Sequence, residues 1–114
     1  MGDALVTVTK EGNVHIVKFS DKLTYAKLQS IKAELTDKIT FEEMGQVIID
    51  LSSVKILDSA GIGLVVSLYK SAVKEKGKLV ISCQNAAITD ILKTVGVNKI
   101  IKVLPTLDEA LNNV

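Results

Sequence analysis

The sequence predicts a single α/β domain over residues 1–114, with a mixed, largely parallel sheet opened by a β-hairpin and about four helices. Three observations carry this. QVIIDL and KLVISC are apolar runs without alternation, as strands covered on both faces require. Between and around them, apolar residues recur every three or four positions, the period of an amphipathic helix. Finally, 114 residues can bury one core of useful size and leave nothing for a second. Strands that alternate with helices return to one sheet through right-handed crossovers.

The hairpin comes first. Leu5 to Thr9 and Val14 to Phe19 are rich in β-branched residues, and the KEGN between them offers Gly12 and Asn13 for a turn with positive φ. From Thr24, the expected N-cap, the period lengthens: Leu28, Ile31, Leu35 and Ile39 mark one helical face, with lysines and Glu34 between them. Gln46 to Leu51 should be a central parallel strand, with Asp50 at its end or in a turn. Ala60 to Glu75 is the clearest helix. Its stripe reads Ile62, Val65, Val66, Tyr69, Ala72 and Val73, and Gly77 ends it. Leu64 and Leu68 fall off that stripe; Leu68 fits a contact with a neighbouring helix, and Leu64 an exposed partner contact. KLVISC is the next buried strand, followed by a helix that Asn85 caps and Gly96 stops. KIIKVL is a short strand. In TLDEAL, Thr106 and Glu109 form a capping box for the last helix.

Charge and composition exclude several function classes. Fourteen Lys and Arg against thirteen Asp and Glu give a net charge of +1 without a basic run, unlike a nucleic-acid surface. No apolar run approaches the eighteen or so residues of a membrane span, and the N-terminus lacks the pattern of a secretory signal or lipid anchor. A soluble cytoplasmic protein without membrane or nucleic-acid partners is expected. The single Cys83 rules out an internal disulfide and suits a reduced compartment. His15 is the only histidine, so neither a serine–histidine triad nor a metal site has the residues it needs. AGIG matches neither the dinucleotide nor the P-loop fingerprint, and no cofactor is expected. Asp50 and Asp58 have no sign of a shared orientation for acid–base work.

The stretch VKILDSAGIGLVV concentrates the remaining chemistry. Asp58 stands where an N-cap belongs, so Ser59, Ala60 and Gly61 form a first turn with unpaired backbone N–H groups. A serine there can be a simple helix start, a nucleophile or a phosphate acceptor. The positive end of the helix dipole would favour a phosphate.

The segment VIIDLSSVKILDSAGIGLVVSLYKSAVKEKGKLVISC resembles the sulfate transporter and anti-sigma factor antagonist (STAS) family, in which a strand leads through D-S-[SAT]-G-[LI]-G into a helix. The resemblance extends over essentially the whole chain. It implies a cytoplasmic anti-sigma factor antagonist that is a substrate and binder and not an enzyme. The unphosphorylated form would bind an anti-sigma factor serine kinase and release its sigma factor. Phosphorylation of Ser59 would weaken that complex, and a serine phosphatase would reverse it. By the same match the phosphoacceptor is Ser59, and the partner-binding residues expected around it are Asp58, Ser59, Ala60, Gly61, Gly63, Leu64 and Asp21. Two positions depart from the family pattern. Ser20 stands where a glycine is frequent in G-x-[LV]-D, with Asp21 out of register. Ala60 replaces a frequent hydroxyl, leaving Ser59 as the one acceptor in the motif. The alternatives are a STAS scaffold in a larger assembly, a lipid-transport accessory domain, and a small enzyme or ligand-binding domain that uses the turn as a phosphate cradle.

Overall fold

Val6–Glu11 (β1) and Val14–Leu23 (β2) form the hairpin. The computed structural model describes residues 5–38 and 45–114. Glu11 pairs with Val14, so the loop is only Gly12 and Asn13. Gly12 has a φ of 61° while Asn13 stays outside the left-handed region, so of the two residues suited to positive φ only the glycine uses it. A glycine in the first loop position is what a type II′ turn demands.

A 3-10 turn, Tyr25–Lys27, leads into α1, Leu28–Lys38. Thr24 is extended, as an N-cap should be, yet its side chain makes no capping bond. Asp58, 33 residues away, takes the Tyr25 N–H instead. Ile31 and Leu35 are buried with Leu28 packed beside them; Ile39 lies outside the described residues.

Gln46–Leu57 (β3) is the central strand, parallel to β2 and to Lys78–Ser82 (β4). Val47, Ile48, Ile49 and Leu51 are fully buried, as a strand covered on both faces requires. It runs six residues beyond the apolar run that announced it. Asp50 therefore lies inside the strand and not at its end, and its carboxylate accepts the Ser52 N–H at 2.9 Å. Pairing with β4 stops at Asp50, whereas pairing with β2 continues to Leu57 through two register shifts. The far half of β3 thus projects past β4 and delivers Asp58 beyond the edge of the neighbouring strand.

Ser59–Lys74 (α2) follows. Its buried stripe is Gly61, Leu64, Val65, Leu68 and Ala72, a helical face rotated from the expected one. Ile62, Val66 and Tyr69 are only partly buried, and Val73 is half exposed. The helix closes with Lys76 in the left-handed region at φ 62°. Gly77 follows, where any Cβ would collide with the Gly45 carbonyl.

Asn85 caps α3, Ala86–Thr94, by accepting the N–H groups of Ala87 and Ile88, and Gly96 follows at φ 83°. The expected strand KIIKVL is mostly something else. A 3-10 turn over Val97–Lys99 takes its first residue, and only Val103–Leu104 (β5) pairs with Ile81 and Ser82 of β4. Thr106 accepts the Glu109 N–H at 3.1 Å and starts α4, Leu107–Leu111.

The five strands stand in the order β1-β2-β3-β4-β5, antiparallel only at the hairpin. Residues of α1, α2 and α3 pack together on one face with Phe19, Ile49 and Ile81, whereas α4 places Ala110 on the other, against Ile16, Ile48 and Val80. That single α/β domain matches the expected class, with three helices stacked on one side because consecutive right-handed crossovers keep to one face. Cys83 is buried, and its thiol donates to the Asn85 carbonyl at 3.4 Å. Among the described residues, no helix is long and apolar enough to cross a membrane.

Candidate functional site

Asp58 organises the end of β3. Its backbone is extended, with φ −110° and ψ −178°. One carboxylate oxygen accepts the Gly61 N–H at 2.9 Å, and the other accepts the Tyr25 N–H, also at 2.9 Å. The Asp58 N–H donates in turn to the Leu23 carbonyl at 3.4 Å. One aspartate therefore caps α2 and pins the 3-10 turn ahead of α1, so two helix starts share a single anchor. The Tyr25 N–H foremost, and then the Gly61 N–H, hold its carboxyl below the ordinary aspartate value, because they stabilise the charged form more than the neutral one. With both oxygens engaged, this carboxylate is a structural acceptor and is poorly placed to serve as a general base for its neighbour.

Ser59 is the first residue of α2 and is exposed. Ala60, next to it, is partly buried. Gly61 is buried, and a Cβ there would run into the Leu23 carbonyl. This glycine lets the helix start lie directly on the β2 backbone, so it faces inward and cannot touch a partner directly. Gly63 is the opposite case. It is exposed, with nothing within 4 Å of where its Cβ would be. Four residues along the helix from Ser59, it shares the serine's face. The open outer face of α2 continues from Gly63 through Ser67 to Lys70.

Leu64 does not belong to that surface. It is 7% exposed and sits in the main core with Val65 and Leu68, so the expectation of an exposed partner contact is wrong. The periodicity misled because apolar residues surround nearly the whole helix, and only packing shows which stripe meets the sheet. Asp21 is exposed and adopts φ 63° at the register shift of β2, opposite Val54. Aspartate tolerates that conformation better than most residues. It stands on the strand beside β3, two residues before Leu23, apart from the contiguous group Asp58 to Gly61.

Sequence reasoning missed Tyr25. Its side chain is 70% exposed while its backbone is bonded to Asp58, which puts an aromatic ring at the Ser59 end of the fold. An exposed aromatic in a chain with only 4% aromatic residues was the available signal. Among the described residues no three His, Cys, Asp or Glu side chains come together to hold a metal.

Comparison with known proteins bears on the family and the fold. The STAS domain model matches residues 6–110. The anti-sigma F factor antagonist of Paenibacillus polymyxa is 21% identical over 99 residues, covering 87% of this chain and 82% of that protein. A crystal structure of an anti-sigma factor antagonist from Mycobacterium paratuberculosis is 26% identical, covers 96% of this chain and 92% of that one, and superimposes with a TM-score of 0.78. A proposed anti-sigma factor antagonist of Thermotoga maritima shares the fold at a TM-score of 0.85 and 21% identity, over 96% and 93% of the two chains. The Bacillus cell fate determinant SpoIIAA, solved in its phosphorylated form, shares it at 0.68 and 15% identity, over 95% and 97%.

Proposed function

This chain belongs to the STAS domain family, and on that premise we propose that it is an anti-sigma factor antagonist controlled by phosphorylation of Ser59. The observation that carries the reading is the placement of Ser59. It is exposed in the first turn of α2, directly after an aspartate whose carboxylate is already committed to two backbone donors. A kinase can reach such a hydroxyl without unfolding the domain. A phosphate added there meets the positive end of the α2 dipole.

The unphosphorylated chain binds an anti-sigma factor serine kinase through the surface around Ser59, with Asp58 and Ala60 shaping it, and Gly63 keeping it low enough for close approach. Gly61 contributes from beneath by seating the helix start on β2. Asp21 flanks the surface from the adjacent strand. Phosphorylation adds roughly two negative charges at what would be a desolvated contact, which opposes binding unless the partner offers cations to meet them. A serine phosphatase restores the binding form. The chain is a binder and a substrate and supplies no catalytic group of its own.

The test is to incubate the protein with its cognate kinase and ATP and to map the modified peptide by mass spectrometry. Phosphate on Ser59 is expected. Phosphate on Ser52 or Ser53 with Ser59 unmodified would refute the assignment.

A further inference from the structure

The sheet ends at β5, whose outer side no strand covers among the described residues. Parallel pairing fixes which backbone groups are free there. The carbonyls of Lys102 and Leu104 accept the N–H groups of Ile81 and Cys83 at 2.8 and 2.9 Å, so these two residues turn their backbone toward β4. Val103, between them, turns its N–H and C=O outward, and nothing among the described residues bonds either group. Pro105, next on the outer side, offers a carbonyl but no N–H. A further strand can therefore pair at Val103, and its ladder stops at Pro105.

A groove of about 720 Å³ runs along this edge. Lys102, Val103, Leu104, Pro105 and Thr106 all line it, although alternate side chains of an extended chain point to opposite faces. What these consecutive residues share is the outer edge of their backbone. On the opposite wall α3 presents Ala86, Thr89, Asp90 and Lys93, whose spacing is that of one helical face. The other face of α3 is buried through Ile88 and Leu92. Cys83 lines the groove just before α3 begins, and Asn98 just after it ends. The helix wall is about 10 Å long at 1.5 Å per residue. The strand wall is about 13 Å long at about 3.3 Å per residue, which is room for about four residues of extended chain.

We propose that this groove binds an extended peptide segment of a partner protein, which adds a strand to β5. A segment laid between an edge strand and a helix gains affinity from main-chain hydrogen bonds and specificity from its alternate side chains. Val103 supplies the main-chain donor and acceptor. Side chains of the segment that point to α3 meet Thr89, Asp90 and Lys93, so they are polar, with an acid at the Lys93 end. Those that point the other way lie beside Leu104, on the face where it packs with Leu107 and Leu111, and are aliphatic. The Lys102 ammonium takes no part, because it donates to Asn113 at 2.6 Å. The partner is thus an alternating polar and aliphatic segment with one acidic residue. The site needs neither a kinase nor a modified Ser59.

The experiment titrates the 15N-labelled full chain with the blocked pentapeptides Glu-Val-Thr-Val-Thr and Thr-Val-Thr-Val-Glu, which offer the acid at either end. At least one should give saturable amide shifts at Thr89, Lys93 and Val103 and slow the exchange of the Val103 amide. Methylating the peptide's backbone nitrogens at its valines, or at its other residues, separates the two sides of the added strand. One set should abolish binding and the other should be tolerated, since only alternate N–H groups face β5. Lysine in place of the glutamate should weaken binding at least about threefold, the scale of a partly exposed ion pair. Ala86→Trp fills the groove and should abolish binding, yet melt like the wild type, because Ala86 is exposed. Sedimentation of the free chain is the last arm. The proposal is overturned if neither peptide gives saturable shifts, if both methylated sets bind alike, or if Ala86→Trp binds unchanged. A dimer of the free chain that Ala86→Trp dissolves would also overturn it, by giving the groove to a second copy.

Discussion

The carboxylate of Asp58 accepts the backbone N–H of Tyr25 at 2.9 Å while its second oxygen holds the N–H of Gly61, so the starts of two helices hang on one side chain. Asp58→Ala should therefore loosen both the turn ahead of α1 and the first turn of α2. A lower melting temperature at neutral pH is expected, with faster amide exchange at Tyr25 and Gly61 together. Exchange that rises at Gly61 alone would show that the Tyr25 bond contributes nothing.

The pH dependence has a definite sign. The backbone donors hold the Asp58 carboxyl below its ordinary value in the folded chain. Its stabilising contribution is therefore complete above the ordinary aspartate value and is lost as pH falls through the lower folded one. The gap in melting temperature between wild type and Asp58→Ala should be constant near neutrality and shrink below about pH 4. A gap that instead persists undiminished into strong acid would contradict the role of the charged form.

Two glycines a little over half a turn apart in phase should respond oppositely. Gly61→Ala forces a methyl against the Leu23 carbonyl and should cost on the order of 1–3 kcal/mol, as overpacking does. Gly63→Ala meets open space inside a helix and should stabilise the fold by about 0.5–1 kcal/mol. Denaturant unfolding measures both. A bulkier Gly63→Leu should leave the fold intact and still weaken kinase binding, since it builds outward beside Ser59; unchanged affinity would remove Gly63 from the contact surface.

Leu64→Ala should cost about 2–5 kcal/mol, the range for emptying a packed leucine site, whereas Val73→Ala on the exposed face should be close to neutral. Equal, small effects at both positions would mean that the buried stripe of α2 has been assigned to the wrong face.

Much of this architecture is legible in the sequence, and the failures share a cause. The order of strands and helices follows from local periodicity, and the caps at Asn85, Asp58 and Thr106 follow from residue type, because each acts within three residues of itself. The phase of α2 is not legible. Ile62, Val66, Tyr69 and Val73 form one apolar stripe and Leu64, Leu68 and Ala72 another, and choosing between them requires knowing that Gly61 rests on Leu23. Nor is the extent of β3, since Ser52, Ser53 and Lys55 interrupt its apolar pattern while β2 continues to pair with it. Thr24 fails as a cap because a residue distant in sequence fills the role. At the candidate site, Ser59 and its aspartate stand out in the motif itself, whereas Tyr25 joins them only through that long-range bond.

Tyr25 gives a further test of the surface. Its bond to Asp58 is made by the backbone, so Tyr25→Ala keeps the anchor and removes only an exposed ring. Stability should change by less than about 0.5 kcal/mol, and kinase affinity should fall on the order of tenfold if the ring is buried on docking. An unaltered affinity would place the docking surface away from the turn before α1.

The central claim is that Ser59 sits at a partner interface and switches it. Calorimetric titration of wild type, Ser59→Ala and Ser59→Asp against the cognate anti-sigma factor kinase tests this most directly, with thermal melts as the folding control. All three should be folded alike, because the side chain is exposed at a helix start. Ser59→Ala should bind like the wild type and resist inactivation by ATP. Ser59→Asp should bind more weakly by on the order of 1–3 kcal/mol, up to about a hundredfold. Equal affinities for all three well-folded proteins would show that Ser59 merely begins a helix and that the switch lies elsewhere.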